Sequence, residues 1–423
     1  MKHLFITVGT GGEKNPVHEA IAFSVRSLNP TSVTFLCSAK TKKETMPLVL
    51  DLLGKNRAPF KIHICAAEDD IGQLTREYTS LLEDAGAIGV EIHADFTSGT
   101  KPMSSALAIA ALINNARGIH YAVGPRDKSG RATMTDRLLS LDTASMLAER
   151  ALPEMTNLFH IGAFEAVSAW ARRTARALDH GRLHSRVESL ARLSAVYAKW
   201  DRFDYDGAVH SLKQECLGRK SLPFMLDAGW KENALRKSLA HLEACRDAVR
   251  RKIPDESLVF DMIANAHRCL VARRFDDAVS RGYRAAEAIG QLLLHRNVGI
   301  AHTTKVDISV LRGKAPMAAS RFDPKETSVN LDRNRTLAVL REFGVEAGVQ
   351  LANDRRLEDA LNGRNESLLA HGFTAVTEDN ARRLLDRLEK HVKITDGDRK
   401  ATEFPRCPWA DLKLNPWSEL SLG

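Results

Sequence analysis

Arg364 and His371, in the run Arg364-Asn365-Glu366-Ser367-Leu368-Leu369-Ala370-His371, are the residues of this chain whose types best suit phosphodiester chemistry. Arginine carries a permanent charge and forked donors matched to phosphate oxygens, while histidine exchanges a proton near neutral pH. The two stand seven positions apart. On a helix advancing about 100° per residue, that spacing brings both side chains to within about 20° of one face, two turns apart. A structural alternative makes Arg364 a solvated helix charge and His371 a C-terminal cap before Gly372, where both residue types are favoured. Spacing alone favours that alternative.

A second chemistry is suggested nearer the N-terminus by two loops rich in glycine and hydroxyls. Val8-Gly9-Thr10-Gly11-Gly12 leaves a strand, and Asp95-Phe96-Thr97-Ser98-Gly99-Thr100-Lys101-Pro102-Met103 leaves another and enters an apolar helix, Ser104–Asn115. Pro102 fits a first helical turn, where its missing N–H costs nothing. Thr97, Ser98, Thr100, Lys101 and the nearby backbone N–H groups then surround a helix N-terminus, a ready anion site. A cap with a tight turn would account for the hydroxyls and glycines but has no use for Lys101. Two such loops side by side at one sheet edge favour ligand binding. Lys14 stands where the third glycine of G-x-G-x-x-G would be, and G-x-x-x-x-G-K-[ST] does not occur, which weakens ordinary dinucleotide and P-loop readings.

The elements that must position these residues follow two patterns. In residues 1–150, β-rich runs at His3–Val8, Thr31–Cys37, Phe60–Cys65, Gly89–Phe96 and Ile119–Val123 are mostly separated by segments long enough for crossover helices, such as Pro16–Leu28 and Ile71–Ala85. This predicts an α/β, Rossmann-like parallel sheet, whose ligands bind at the carboxyl ends of the strands. From about Leu152 the periodicity becomes helical, with helices expected at Phe159–Leu178, Lys231–Lys252, Leu258–Ala272, Phe275–His295, Thr336–Leu361 and Asp379–Val392. Asn297–Asn330 reads as a long insertion. Ala401–Gly423, with three prolines, Trp409 and Trp417, reads as an extended tail docked through its tryptophans.

Composition narrows the classes. A chain of 423 residues with 44% hydrophobic and 27% charged content is globular and too long for one core. No apolar run approaches the roughly 20 residues of a membrane span and the N-terminus lacks a signal-peptide pattern, so a cytoplasmic protein is expected. The net charge of +8 is uneven: residues 1–150 carry 17 Lys/Arg against 16 Asp/Glu and the rest 44 against 37, giving the later part the better field for a polyanion. Cys37, Cys65, Cys216, Cys245, Cys269 and Cys407 include no C-x-x-C pair and read as reduced structural thiols. His180 and His184 are four apart but lack a third ligand, so no metal site is expected. Asp69-Asp70 and Glu83-Asp84 read as helix-surface acids.

Taken together, the Asp95–Met103 loop after a Rossmann-like strand, and Arg364-Asn365 with His371-Gly372 in a helical C-terminal part, resemble the CRISPR-associated (type III) accessory ribonucleases. That family has an N-terminal CARF sensor, an all-α linker and an all-α HEPN nuclease domain. The resemblance implies division into a sensor (1–150), a helical linker (151–255), a nuclease domain (256–400) and a tail (401–423). It implies an endoribonuclease for single-stranded RNA, activated by cyclic oligoadenylate, without cofactor or metal, leaving a 2′,3′-cyclic phosphate. It places the activator against Thr10, Gly11, Thr97, Ser98, Gly99, Thr100 and Lys101, and catalysis at Arg364, Asn365 and His371, in a homodimer. Ser98-Gly99 departs from the two adjacent glycines frequent in the family's sensor loop. A ligand-sensing regulator that binds nucleic acid or a protein partner without catalysis is the competing reading.

Overall fold

The computed structural model describes residues 1–11, 16–125, 135–368, 372–395, 399, 402 and 404–410. It divides into two compact units, Met1–Ala151 and Leu152–Gly423.

In the first unit the five expected strands are present as β1 (Lys2–Val8), β2 (Ser32–Cys37), β3 (Phe60–Ile64), β4 (Glu91–Asp95) and β5 (Gly118–Val123), joined by a sixth, β6 (Arg137–Leu141). The order is β3-β2-β1-β4-β5-β6; the first five are mutually parallel and β6 runs antiparallel to β5. Five helices accompany them: α1 (Val17–Leu28), α2 (Ala39–Glu44), α3 (Met46–Leu53), α4 (Ile71–Ala87) and α5 (Lys101–Ile113). A sixth, α6 (Thr143–His160), contains the division between the units.

The apolar runs of β1 and β2 have a simple cause. A central parallel strand is covered on both faces, so its residues need not alternate with polar ones. Leu4, Ile6 and Val8 of β1 pack with Ile21, Val25 and Val49 of α1 and α3. Phe5 faces the other way, into a cluster with Tyr78, Leu82, Met103 and Leu107 of α4 and α5. The chain leaves β1 for β2 on one side and later returns to add β4 on the other. The crevice where strand order reverses therefore opens between the loops after β1 and β4, both of which the sequence analysis singled out.

The second unit is mostly helical. Its helices are α7 (Phe164–Ala177), α8 (Arg182–Asp201), α9 (Tyr205–Ser211), α10 (Leu222–Asp227), α11 (Glu232–Arg251), α12 (Glu256–Val271) and α13 (Phe275–Val298), followed by α14 (Ile308–Lys314), α15 (Pro316–Ala319), α16 (Arg333–Glu342), α17 (Glu346–Asn353), α18 (Arg355–Asn365) and α19 (Glu378–Val392). The 297–330 insertion is ordered: it holds α14, α15 and a two-stranded ribbon of β7 (Val306–Asp307) and β8 (Ser328–Val329). The single helix expected over Thr336–Leu361 is three, broken at Gly344 (φ 69°) and at Asp354, whose carboxylate caps α18 by accepting the Leu357 N–H at 3.1 Å. The helix expected over Phe159–Leu178 breaks likewise at Gly162 (φ 85°). One apolar core runs from Val259 of α12 to Leu388 of α19. No helix among the described residues is long and apolar enough to cross a membrane.

A buried polar knot ties α8, α9, α11 and α12 together. Asp261 accepts from Trp200 Nε1 and Tyr205 Oη, each at 2.7 Å, and from His241 Nε2 at 3.3 Å. Burial pushes the Asp261 carboxyl up, but the hydrogen bond from His241 and the charge of Arg268 outweigh it and hold the group below the usual carboxylate range. His241, Cys245 and Asp261 converge closely enough to suggest metal ligation. With both carboxylate oxygens already accepting, the knot is complete as a hydrogen-bond network. Trp409 docks as expected of the tail, buried with its Nε1 donating to Thr156 Oγ1 at 2.8 Å; Trp417 lies outside the described residues.

Candidate functional site

The loops after β1 and β4 are bolted to each other. Ser98 Oγ donates to the Thr7 carbonyl at 2.6 Å and accepts the Gly9 N–H at 3.2 Å, while Thr7 Oγ1 donates to the Ser98 carbonyl. Gly99 adopts φ 104°, and a Cβ there would stand 3.0 Å from Thr7 Cβ. A Cβ on Gly9 would meet the Gly99 nitrogen at 2.6 Å. Two backbones this close leave room for neither side chain, which is the physical reason for glycine at both positions. The Ser98 hydroxyl is thus spent on the lock.

The lock floors a cavity of about 530 Å³ lined by Gly9, Thr10, Thr97, Ser98, Gly99 and Thr100. Five of the predicted binding residues, Thr10 and Thr97 to Thr100, therefore line one site, and Gly11 follows directly in the β1 loop. Thr100 is the N-cap of α5: its hydroxyl accepts the Met103 N–H at 3.3 Å and its carbonyl the Ser104 N–H at 3.0 Å, and Pro102 has no N–H, so the Lys101 N–H is the first-turn donor left without an intrahelical acceptor and suits an anion. Lys101 is placed differently from expectation. It is exposed and lines a separate shallow depression with Phe96, Ser104 and Ser105. Among the described residues, Lys40, at the start of α2, is the cation lining the cavity. Sequence reasoning missed Lys40 because its place depends on β2 lying beside β1, which no local motif reveals.

Beneath the crevice the strands are joined by a chain of polar side chains. Glu91 Oε1 lies 3.2 Å from His93 Nε2, His93 Nδ1 lies 2.8 Å from His120 Nε2, and His120 Nδ1 lies 2.7 Å from Ser140 Oγ. A carboxylate can only accept, so His93 carries its proton on Nε2 and accepts at Nδ1 from His120, which in turn accepts the Ser140 hydroxyl. This relay crosses β4, β5 and β6 with both rings neutral. Burial pushes His120 down to about 4, aided by the neighbouring His93 and Lys2. Burial also lowers His93, although Glu91 opposes the shift. Higher on the same strands, Thr97 Oγ1 accepts the Ala122 N–H at 2.7 Å, so β5 also holds the loop that lines the cavity.

In the second unit α18 carries Arg364 to its last turn. Asp354, the cap of α18, also accepts from Arg387 at 2.5 Å and His391 at 2.8 Å, fixing that helix to α19. The Arg364 guanidinium sits 4.9 Å from the centre of the Tyr283 ring on α13, in cation–π range. The expectation that Arg364 and His371 share one helix face is overturned. The helix stops at Asn365, with Glu366 as its C-cap, and the chain turns back on itself. Ser367 bridges Thr374, with Thr374 N–H donating to the Glu366 carbonyl at 3.0 Å and Gly372 N–H to the Ser367 carbonyl at 3.1 Å. These bonds replace the helical ones that would have continued α18. His371, with Leu369 and Ala370, lies outside the described residues, as does the Asn365 side chain. On either side of them Leu368 and Phe373 are 66% and 94% exposed.

Sheet unit, helical body and the residues just described together define a class: the chain resembles the CRISPR-associated (type III) accessory ribonucleases with an N-terminal sensor and a C-terminal HEPN domain. Within that class the likeness is to Csm6. Residues 248–395 match the family model described as the Csm6 HEPN domain. The CRISPR system endoribonuclease Csm6 of Thermus thermophilus is 28% identical over 382 residues, covering 84% of this chain and 78% of that protein. The structure of Enterococcus italicus Csm6 bound to cyclic hexa-2′-fluoro-hexa-dAMP superposes with a TM-score of 0.60 at 11% identity, over 94% of this chain and 96% of that one. That last likeness is one of fold.

Proposed function

We propose that this chain is a single-stranded RNA endoribonuclease of type III CRISPR defence, activated by cyclic oligoadenylate and independent of metal. The observation that carries the reading is the HEPN match over 248–395, which contains Arg364-Asn365 and His371-Gly372 in the spacing expected of the catalytic motif. On this reading residues 151–255 are a helical linker and 256–400 the nuclease domain. The activator occupies the crevice between the β1 and β4 loops, its phosphates against the first turn of α5 and Lys40.

In the chemistry proposed, a ribose 2′-hydroxyl attacks the adjacent phosphorus and loses its proton. The bond from phosphorus to the 5′-oxygen breaks, and that oxygen takes up a proton, leaving a 2′,3′-cyclic phosphate and a 5′-hydroxyl. Arg364 offsets charge on the phosphoryl oxygens, His371 moves a proton and Asn365 orients the site. One Arg–His pair is sparse for this work. Leu368 and Phe373, large apolar groups exposed beside the motif, suit a face covered by a second copy, and a homodimer would bring two motifs together across a two-fold axis.

The test is cleavage of a fluorescent single-stranded RNA in EDTA with cyclic tri-, tetra- or hexa-adenylate. Arg364→Ala and His371→Ala should each lower the stimulated rate by about 10²–10⁴-fold. Full activity in both variants, or strict dependence on an added divalent ion, refutes the reading.

A further inference from the structure

Glu68 lines the crevice. It belongs to the acidic run Glu68-Asp69-Asp70 that joins β3 to α4. Asp70 caps α4 by accepting the Gln73 N–H at 2.9 Å, and Asp69 is exposed. Glu68 is half-buried, and its main-chain carbonyl accepts from Thr100 Oγ1 at 3.2 Å, which fixes the loop against the N-cap of α5. Among the described residues its carboxylate has neither a hydrogen bond nor an ion pair.

An unpaired carboxylate on the wall of an anion site repels the phosphates the site collects, and partial burial adds a desolvation cost. Solvent water can satisfy this half-exposed carboxylate in the free protein, so a ligand that displaces that water must itself bring a hydrogen-bond donor, because an ionised carboxylate can only accept. If the crevice takes cyclic oligoadenylate, as proposed above, that ligand offers two kinds of donor, the ribose 2′-hydroxyl and the adenine 6-amino group. The 2′-hydroxyl sits beside the phosphodiester, where the carboxylate would meet the greatest repulsion. The 6-amino group is at the far edge of the base, where Coulomb repulsion from phosphate is weaker.

We infer that Glu68 reads the 6-amino group of a bound adenine and selects adenine over its 6-oxo counterpart. The preference comes from both sides. Adenine satisfies the carboxylate, whereas hypoxanthine presents O6 to it, two acceptors with no proton between them. A hydrogen bond to a charged acceptor corresponds to a preference of about 10–150-fold per base read.

The test uses the full-length chain and calorimetric binding of cyclic tetra- and hexa-adenylate, their inosine counterparts, and 2′-deoxy cyclic oligoadenylates. Wild-type protein should prefer adenine by at least about tenfold. Glu68→Ala, with a thermal transition matched to wild type, should bring the adenine-to-inosine ratio close to one. Glu68→Gln should narrow it from the other direction, since its amide can donate to O6. The penalty for removing the 2′-hydroxyl should be the same in wild type and Glu68→Ala. An unchanged adenine preference in Glu68→Ala overturns the inference, as does a variant that loses 2′-hydroxyl discrimination instead. Failure of wild type to bind any cyclic oligoadenylate would be separately visible, and would remove the activator reading together with this one.

Discussion

Acidification should loosen the first unit specifically, through the Glu91–His93–His120–Ser140 relay. His120 falls from the ordinary 6.5 to about 4 in the folded chain, so the unfolded chain binds the proton more readily. A depressed histidine contributes stability that is complete above the unfolded value and is lost as pH falls through the folded one, here from about 6.5 to about 4. A shift of that size, at 1.36 kcal/mol per pH unit, is worth about 3 kcal/mol, and His93 acts in the same direction. With urea slopes of about 1–3 kcal/mol/M, the unfolding midpoint of this unit should drop by about 1–3 M between pH 7 and pH 4.

Intrinsic fluorescence will not detect this, because all five tryptophans lie beyond residue 151. Cys37 and Cys65 are buried in the first unit and can serve as its reporters. Pulse labelling with a dithiopyridine, which reacts with thiols in acid as well, followed by peptide mass spectrometry, gives the midpoint unit by unit. In His120→Gln the amide can still donate to His93 and accept from Ser140 but takes up no proton, so most of the pH dependence should vanish. Equal falls in wild type and His120→Gln would refute the argument.

Three further outcomes are expected. Lys40→Glu should weaken binding of cyclic oligoadenylate by at least tenfold and more than Lys101→Glu does, because Lys40 lines the cavity and Lys101 does not; titration calorimetry on both variants decides. Asp261→Ala should cost about 3–5 kcal/mol, since it leaves Trp200, Tyr205 and His241 with buried donors and no acceptor, and chemical denaturation followed by tryptophan fluorescence will measure it. Tyr283→Leu removes the ring under Arg364 and should lower kcat for RNA cleavage while Tyr283→Phe retains it, a split that a merely destabilised fold would not produce.

The centre of the sheet was legible because β1 and β2, buried on both faces, appear as unbroken apolar runs, while β3, β4 and β5 were found from shorter β-rich runs that also carry Lys61, His63, Glu91, His93 and His120. β6 was missed because it is a short edge strand whose residues are mostly exposed, so Arg137–Leu141 carries no strong pattern. Gly9 and Gly99 pointed correctly to a crevice, since close approach of two backbones has a sequence signature. Lys40 and Glu68 had none: they reach the cavity from the start of α2 and from the loop before α4, segments whose neighbours are set by strand order. The Arg364–His371 motif was visible, but its geometry was misjudged, because a seven-residue spacing cannot reveal that the backbone leaves the helix at Glu366 to pair Ser367 with Thr374.

All six cysteines are free and buried, and burial raises every one of their thiols, Cys65 to about 11 and Cys37 and Cys216 to about 12. Reactivity follows the thiolate and its exposure, so these six thiols should react slowly with maleimides at neutral pH while the chain is folded. A dye or spin label can therefore be attached to one introduced cysteine with no native one removed. Phe373→Cys, beside the proposed catalytic motif, would put a reporter where a second copy and an RNA strand are expected to meet. The labelled chain, with its six native cysteines in place, could then be followed in real time as an activator is added.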